Sequence, residues 1–158
     1  MQYKWFDTLE DFVIWELKAN KGSDKNQFLK SEIEEMFLTL YPDIKTSGLT
    51  KDYMVDEILK KKSYLEIYNE FKDEKFGIKP SKWRDKFNIT ASQMKKMVND
   101  GYLLNPTYTN HEKVFTGTYS DVQYYRAEDY FNYTAEEVEI WKEENIRGYK
   151  TRKEKLQK

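Results

Sequence analysis

With 158 residues, 39% of them hydrophobic and 16% aromatic, the chain carries enough apolar material for a sizeable core, which excludes an intrinsically disordered protein despite 35% charged residues. The absence of cysteine excludes disulfides, thiol nucleophiles and thiolate metal sites. A net charge of −1 conceals a division along the chain: Lys51 to Met97 holds twelve basic and eight acidic residues, Tyr119 to Glu144 eight acids against Arg126 and Lys142, and Arg147 to Lys158 six basic residues against Glu154.

In chain order, the first segment, Met1 to Asp7, has no apolar run behind it, and nowhere does the chain approach membrane-spanning length, which predicts a cytoplasmic protein with no membrane partner. Thr8 with Asp11 three residues on predicts a helix start, followed by the one-sided run Leu9, Phe12, Val13, Trp15, Leu17 and a stop near Gly22. Phe28, Leu29, Ile33, Met36, Phe37 and Leu40 repeat at helical spacing and end at Tyr41-Pro42. Thr50 caps a third predicted helix through Lys61, with Met54, Ile58 and Leu59 inward. Tyr64, Ile67, Tyr68 and Phe71 continue a fourth to about Lys75, with Gly77 as its stop. The triplet Lys60-Lys61-Lys62 suits either phosphate contact or an ordinary solvated helix end.

The strongest local pattern runs from Ser81 to Leu103. Trp83 and Phe87, four apart, share a helix face behind Pro80. Asn88 follows where the chain must turn, and asparagine tolerates a left-handed backbone. Ile89 then plugs the corner, Thr90 and Gln93 make a capping box, and Met94, Met97 and Val98 face inward before Gly101. The stretch Trp83-Arg84-Asp85-Lys86-Phe87-Asn88-Ile89-Thr90-Ala91-Ser92-Gln93-Met94-Lys95-Lys96-Met97-Val98-Asn99-Asp100-Gly101-Tyr102-Leu103 resembles the helix-turn-helix of winged-helix DNA-binding proteins, the resemblance covering about Ser63 to Tyr130. It implies that the second helix enters the major groove and that a following hairpin forms the wing. Asn88 stands where that family has a turn glycine, and the wing is acidic at Asp121, Glu128 and Asp129. More loosely, Leu29 to Lys61 resembles the helix-extension-helix module called SAP, through Ile33, Phe37 and Leu40, then Gly48-Leu49-Thr50-Lys51. Its first helix is acidic at Glu32, Glu34 and Glu35 where DNA contact requires basic residues, so an ordinary helical hairpin is the simpler reading.

Beyond the helix-turn-helix, Lys113–Tyr119 and Val122–Tyr130, rich in Val, Thr, Tyr and Phe about Ser120-Asp121, predict a hairpin. Thr134 and Glu137 form a capping box, with Tyr133 and Val138 as staple, for a last helix that turns Ile140 and Trp141 inward and stops at Gly148. The basic tail after it is expected to fray. The chain thus reads as mainly α with a small β-hairpin (α+β): an N-terminal helical part, 1–62, a winged-helix-like part, 63–133, and a C-terminal helix with basic tail, 134–158, acting as one cooperative unit.

No enzyme is expected. His111 is the only histidine, no glycine-rich phosphate loop exists, and no cofactor or metal site is implied. The expected function is DNA binding by a small regulatory or accessory protein, its composition suiting a phage or mobile element. Ser92, Gln93, Lys95, Lys96 and Asn99 on the second helix, with Lys82 and Arg84 on the first, have the chemistry to reach base edges and phosphates. The same helix face also has a purely solvated reading. The alternative is a phage-encoded inhibitor of a host nuclease or anti-phage system, anti-CRISPR-like. It would occupy a basic groove on another protein through Tyr119, Asp121, Tyr124, Tyr125, Glu128, Asp129 and Tyr130.

Overall fold

A computed structural model describes residues 6–19, 28–103, 106–113 and 117–156. Helix α1 (Leu9–Lys18) begins as expected, the Thr8 hydroxyl accepting from the Asp11 amide at 3.1 Å. The expected stop near Gly22 lies outside the described residues. In α2 (Lys30–Leu40) the residues Ile33, Met36 and Phe37 are buried, but Leu29 is not part of their stripe. It occupies the N-cap position, is 65% exposed, and donates its amide to Glu32 at 2.8 Å. Helix α3 (Lys51–Lys61), capped by Thr50, packs on α2 and buries Val55 beside the expected Met54 and Ile58. Helix α4 (Tyr64–Phe71) opens on a Ser63–Glu66 capping box and ends four residues earlier than its apolar spacing indicated, in the turns at 72–76. The lysine triplet is engaged within the fold: Lys60 pairs with Glu57, Lys62 with Glu70, and Lys61 sits over the Tyr41 ring.

The link from α4 to the helix-turn-helix is tightly specified. Phe76, at φ +65°, is a bulky residue in the left-handed region, and its ring lies between Phe28 and Tyr68 at 5.4 and 5.9 Å, so burial of the ring offsets the backbone strain. Gly77 serves close approach, not helix termination: a Cβ there would stand 2.5 Å from Tyr124 Cβ, and its amide donates to the Tyr108 hydroxyl at 2.8 Å. Ile78 then pairs antiparallel with Tyr125 through two backbone hydrogen bonds of 2.9 and 3.0 Å. Helices α5 (Pro80–Phe87) and α6 (Ala91–Asn99) follow.

The hairpin is present but displaced from its expected place. Its strands are β1 (Tyr108–Lys113) and β2 (Tyr119–Tyr124), paired Tyr108 to Tyr124 and His111 to Asp121. Ser120 and Asp121 therefore lie inside β2 instead of at the turn. Register is set at the base, where Tyr108 and Tyr124 stack at 4.8 Å beside Gly77, and Gly117 at φ +85° lies in the connection. Nor does the strand pattern reach Tyr130. Ala127 and Tyr130 recur at i, i+3, both buried, as parts of α7 (Ala127–Asn132).

Helix α8 (Ala135–Asn145) starts on the predicted Thr134 cap and buries Val138 and Trp141, whereas Ile140 is 52% exposed. The basic tail is helical as far as Leu156, where fraying was expected, and its last two residues lie outside the described ones. After Gly148 at φ +77° it forms α9 (Tyr149–Leu156), tied to α8 by charge. One continuous core runs from Phe12 through Phe37, Ile67, Trp83 and Tyr130 to Trp141, so the N-terminal helices, helix-turn-helix and C-terminal helices share a single apolar interior. The protein is thus mainly helical with a small antiparallel hairpin, and no helix among the described residues is long and apolar enough to cross a membrane.

Candidate nucleic-acid interface

The turn between α5 and α6 forms as its residues dictate. Asn88 takes the left-handed conformation (φ 51°, ψ 52°), Ile89 is 5% exposed, and Thr90 and Gln93 complete a reciprocal cap, with distances of 3.1 and 2.9 Å. Behind this corner Trp83 contacts Phe87, Tyr125 and Tyr130, ring centroids 5.4 to 6.1 Å apart. Two lysine amines, one buried and one half-buried, tie it to the C-terminal helices. Lys142 on α8, 1% exposed, donates from Nζ to the Asn88 carbonyl at 2.9 Å and pairs with Glu139 at 3.1 Å. Lys86 donates to the Tyr130 carbonyl and stands over the rings of Phe87, Tyr130 and Phe131; burial pushes its pKa down.

Outside the corner, α6 exposes Ser92, Lys95, Lys96 and Asn99, which cluster within about a third of the helix circumference at 100° per residue. Gln93 is half-buried and its carbonyl oxygen is committed to the cap; Lys96 is paired with Asp100 at 2.9 Å. The unencumbered stripe is therefore Ser92, Lys95 and Asn99. Lys95 and Asn99 also line a groove of about 570 Å³, together with Arg84 of α5, Gln123 and Tyr125 at the hairpin base, and the apolar Pro80, Ala91, Met94, Val98 and Pro106. Arg84 is exposed and Lys82 half-buried. From Lys79 to Asp100 six basic residues stand against Asp85 and Asp100.

The acidic, tyrosine-rich segment does not come together as one surface. Tyr124, Tyr125 and Tyr130 are 1, 8 and 3% exposed and belong to the interior, because β2 ends against Gly77 and α7 turns Tyr130 onto Trp83. Tyr119 is 65% exposed and stacks on His111, whose Nδ1 lies 3.0 Å from the Asp121 carboxylate. Glu128 faces Arg126 at 3.5 Å and Lys72 at 3.9 Å and accepts from the Tyr68 hydroxyl, while Asp129 is half-buried in the first turn of α7. Of these acids, Glu128 is matched by two cations and a hydroxyl donor.

Sequence reasoning did not place Gln123 or Tyr125 beside α6, since both depend on hairpin register, and it did not anticipate Lys142. A lysine one position after Trp141 carries no local mark of burial. Among the described residues no three His, Asp or Glu side chains are grouped to hold a metal ion. Compared with known proteins, the chain matches no family model, no curated protein and no solved structure.

Proposed function

We propose that this protein binds duplex DNA through the exposed face of α6 and the adjoining groove, in the manner of the winged-helix proteins its helix-turn-helix resembles. The observation that carries the reading is an exposed helix face bearing Ser92, Lys95, Lys96 and Asn99, with a groove beside it whose other lining includes Arg84 of α5 and Gln123 of the hairpin. Amides and amines are the groups that read base edges in the major groove, and hydroxyls and amines hold phosphates. Helix α4, the helix-turn-helix and the hairpin also follow one another in the order the resemblance requires. Pairing of Glu128 with Arg126 and Lys72 lessens the repulsion that this acid would otherwise present to phosphate.

The test is binding of short duplexes followed at two salt concentrations. Affinity is expected to fall steeply with salt. Lys95→Ala with Asn99→Ala is expected to weaken it about ten- to a hundredfold with an unchanged melt, at about 1 to 3 kcal/mol for a lost bidentate contact. No complex at micromolar protein and low salt would refute the reading.

A further inference from the structure

Helix α9 is unusual in what holds it. It buries no side chain, and a helix of eight residues is marginal in water by itself. Its order comes instead from charge on one side. Lys153 bridges Glu139 at 2.8 Å and Glu143 at 2.9 Å, and the Tyr149 hydroxyl donates to Glu139 at 2.7 Å. Partial burial opposes ionisation of Glu139, but hydrogen bonds from Lys153, Tyr149 and Lys142 outweigh it and draw its carboxyl down to about 2. The α8 carboxylates on this side are thereby occupied. The rest of the α9 circumference carries Lys150, Thr151, Arg152, Glu154, Lys155 and Leu156, all exposed, with three cations against one acid.

The helix also stands beside the proposed reading head. Lys142 Nζ is 2.9 Å from the Asn88 carbonyl in the helix-turn-helix corner and 5.0 Å from the centre of the Tyr149 ring, so one side chain separates the start of α9 from that corner. A basic helix that buries nothing is nevertheless folded, pinned by its inner side to acids, with its first residue near the corner between α5 and α6.

We propose that α9 is a second DNA-contacting element, a phosphate clamp in which Lys150, Arg152 and Lys155 grip the duplex backbone beside the site of α6. The occupant follows from charge complementarity: an eight-residue helix is about 12 Å long and spans about three phosphates of one strand at 3.4 Å each along the axis. These contacts carry no sequence information; they add affinity and fix orientation. The inference rests on the DNA reading above and adds to it a surface that α6 does not contain.

The experiment compares the full chain with Lys150→Gln/Arg152→Gln/Lys155→Gln and with Lys95→Ala/Asn99→Ala, by fluorescence anisotropy on a short duplex across a salt series. Glutamine keeps helix propensity, and Lys153 is left in place so that α9 stays pinned. The triple variant is expected to lose at least about tenfold in affinity at low salt, equally for every sequence, and its salt slope to fall by about one unit per residue removed. The charge-keeping variant Lys150→Arg/Arg152→Lys/Lys155→Arg is expected to bind like the unaltered chain. An unchanged affinity and slope in the glutamine variant, while the α6 variant loses binding, would overturn the clamp and leave the DNA reading intact. Failure of the unaltered chain to bind duplex would remove both. Anionic lipid vesicles are the counter-probe, and capture by vesicles that depends on the three residues, with duplex binding independent of them, would reassign the helix to a membrane surface.

Discussion

Lys142 concentrates several roles in one side chain: it satisfies the Asn88 carbonyl at the end of α5, neutralises part of Glu139, and is almost wholly buried. Its replacement by Met retains the aliphatic stem but leaves the Asn88 carbonyl without this donor. Lys142→Met is expected to cost about 1 to 3 kcal/mol, lowering Tm by roughly 3 to 10 °C in a thermal scan, with its largest amide shifts near Asn88 and Glu139. Neighbouring residues of the corner were legible in the sequence because their reasons are local. Asn88 must accept a left-handed backbone, and the Thr90–Gln93 cap needs only a spacing of three. Lys142 was not legible, since nothing in its surroundings on the chain tells that its amine will meet a carbonyl 54 residues earlier.

At the level of elements, α9 depends on ionised Glu139. A carboxyl whose folded pKa is lowered from 4.5 to about 2 contributes stability that is complete above about 4.5 and is lost as pH falls toward 2. The helical chemical shifts of Tyr149–Leu156 are therefore expected to decay over that window, and Glu139→Gln to reproduce much of the decay at neutral pH. Persistence of those shifts at pH 2 would show that α9 is held otherwise. The hairpin teaches a different lesson about legibility. Val114, Phe115 and Thr116, which carry the strand preference between Lys113 and Tyr119, lie outside the described residues, while β1 is the poorer-looking Tyr108–Lys113, whose Tyr108 stacks on Tyr124. Gly77→Ala is expected to destabilise the protein by about 1 to 3 kcal/mol through overpacking, read as a lower denaturation midpoint, with the β1–β2 amides exchanging faster than those of α2 and α3.

Across the whole molecule, the shared core makes the helix-turn-helix inseparable from the N-terminal helices. Phe12 meets Phe131 at 5.7 Å, Phe131 adjoins Tyr130 at 5.0 Å, and Tyr130 lies against Trp83 at 5.4 Å. Ile89→Asp, which places a charge at a position 5% exposed, is expected to cost several kcal/mol and to unfold α1 through α4 along with α5 and α6. Far-UV ellipticity and tryptophan fluorescence should lose their transitions together; native-like helix content in the variant would contradict that coupling. The mainly helical class with one hairpin was readable from periodicity and caps, whereas the surface that remains for partners was not, because burial of Tyr124, Tyr125 and Tyr130 is decided by packing between distant segments. With no room for even a methyl group where the hairpin base meets the entrance to α5, a tilt of the hairpin toward that entrance would drive Tyr124 and Tyr108 into the backbone of Gly77, which opposes narrowing of the groove between Gln123 and α6. A groove whose width is braced in this way would cost a ligand little binding energy to shape.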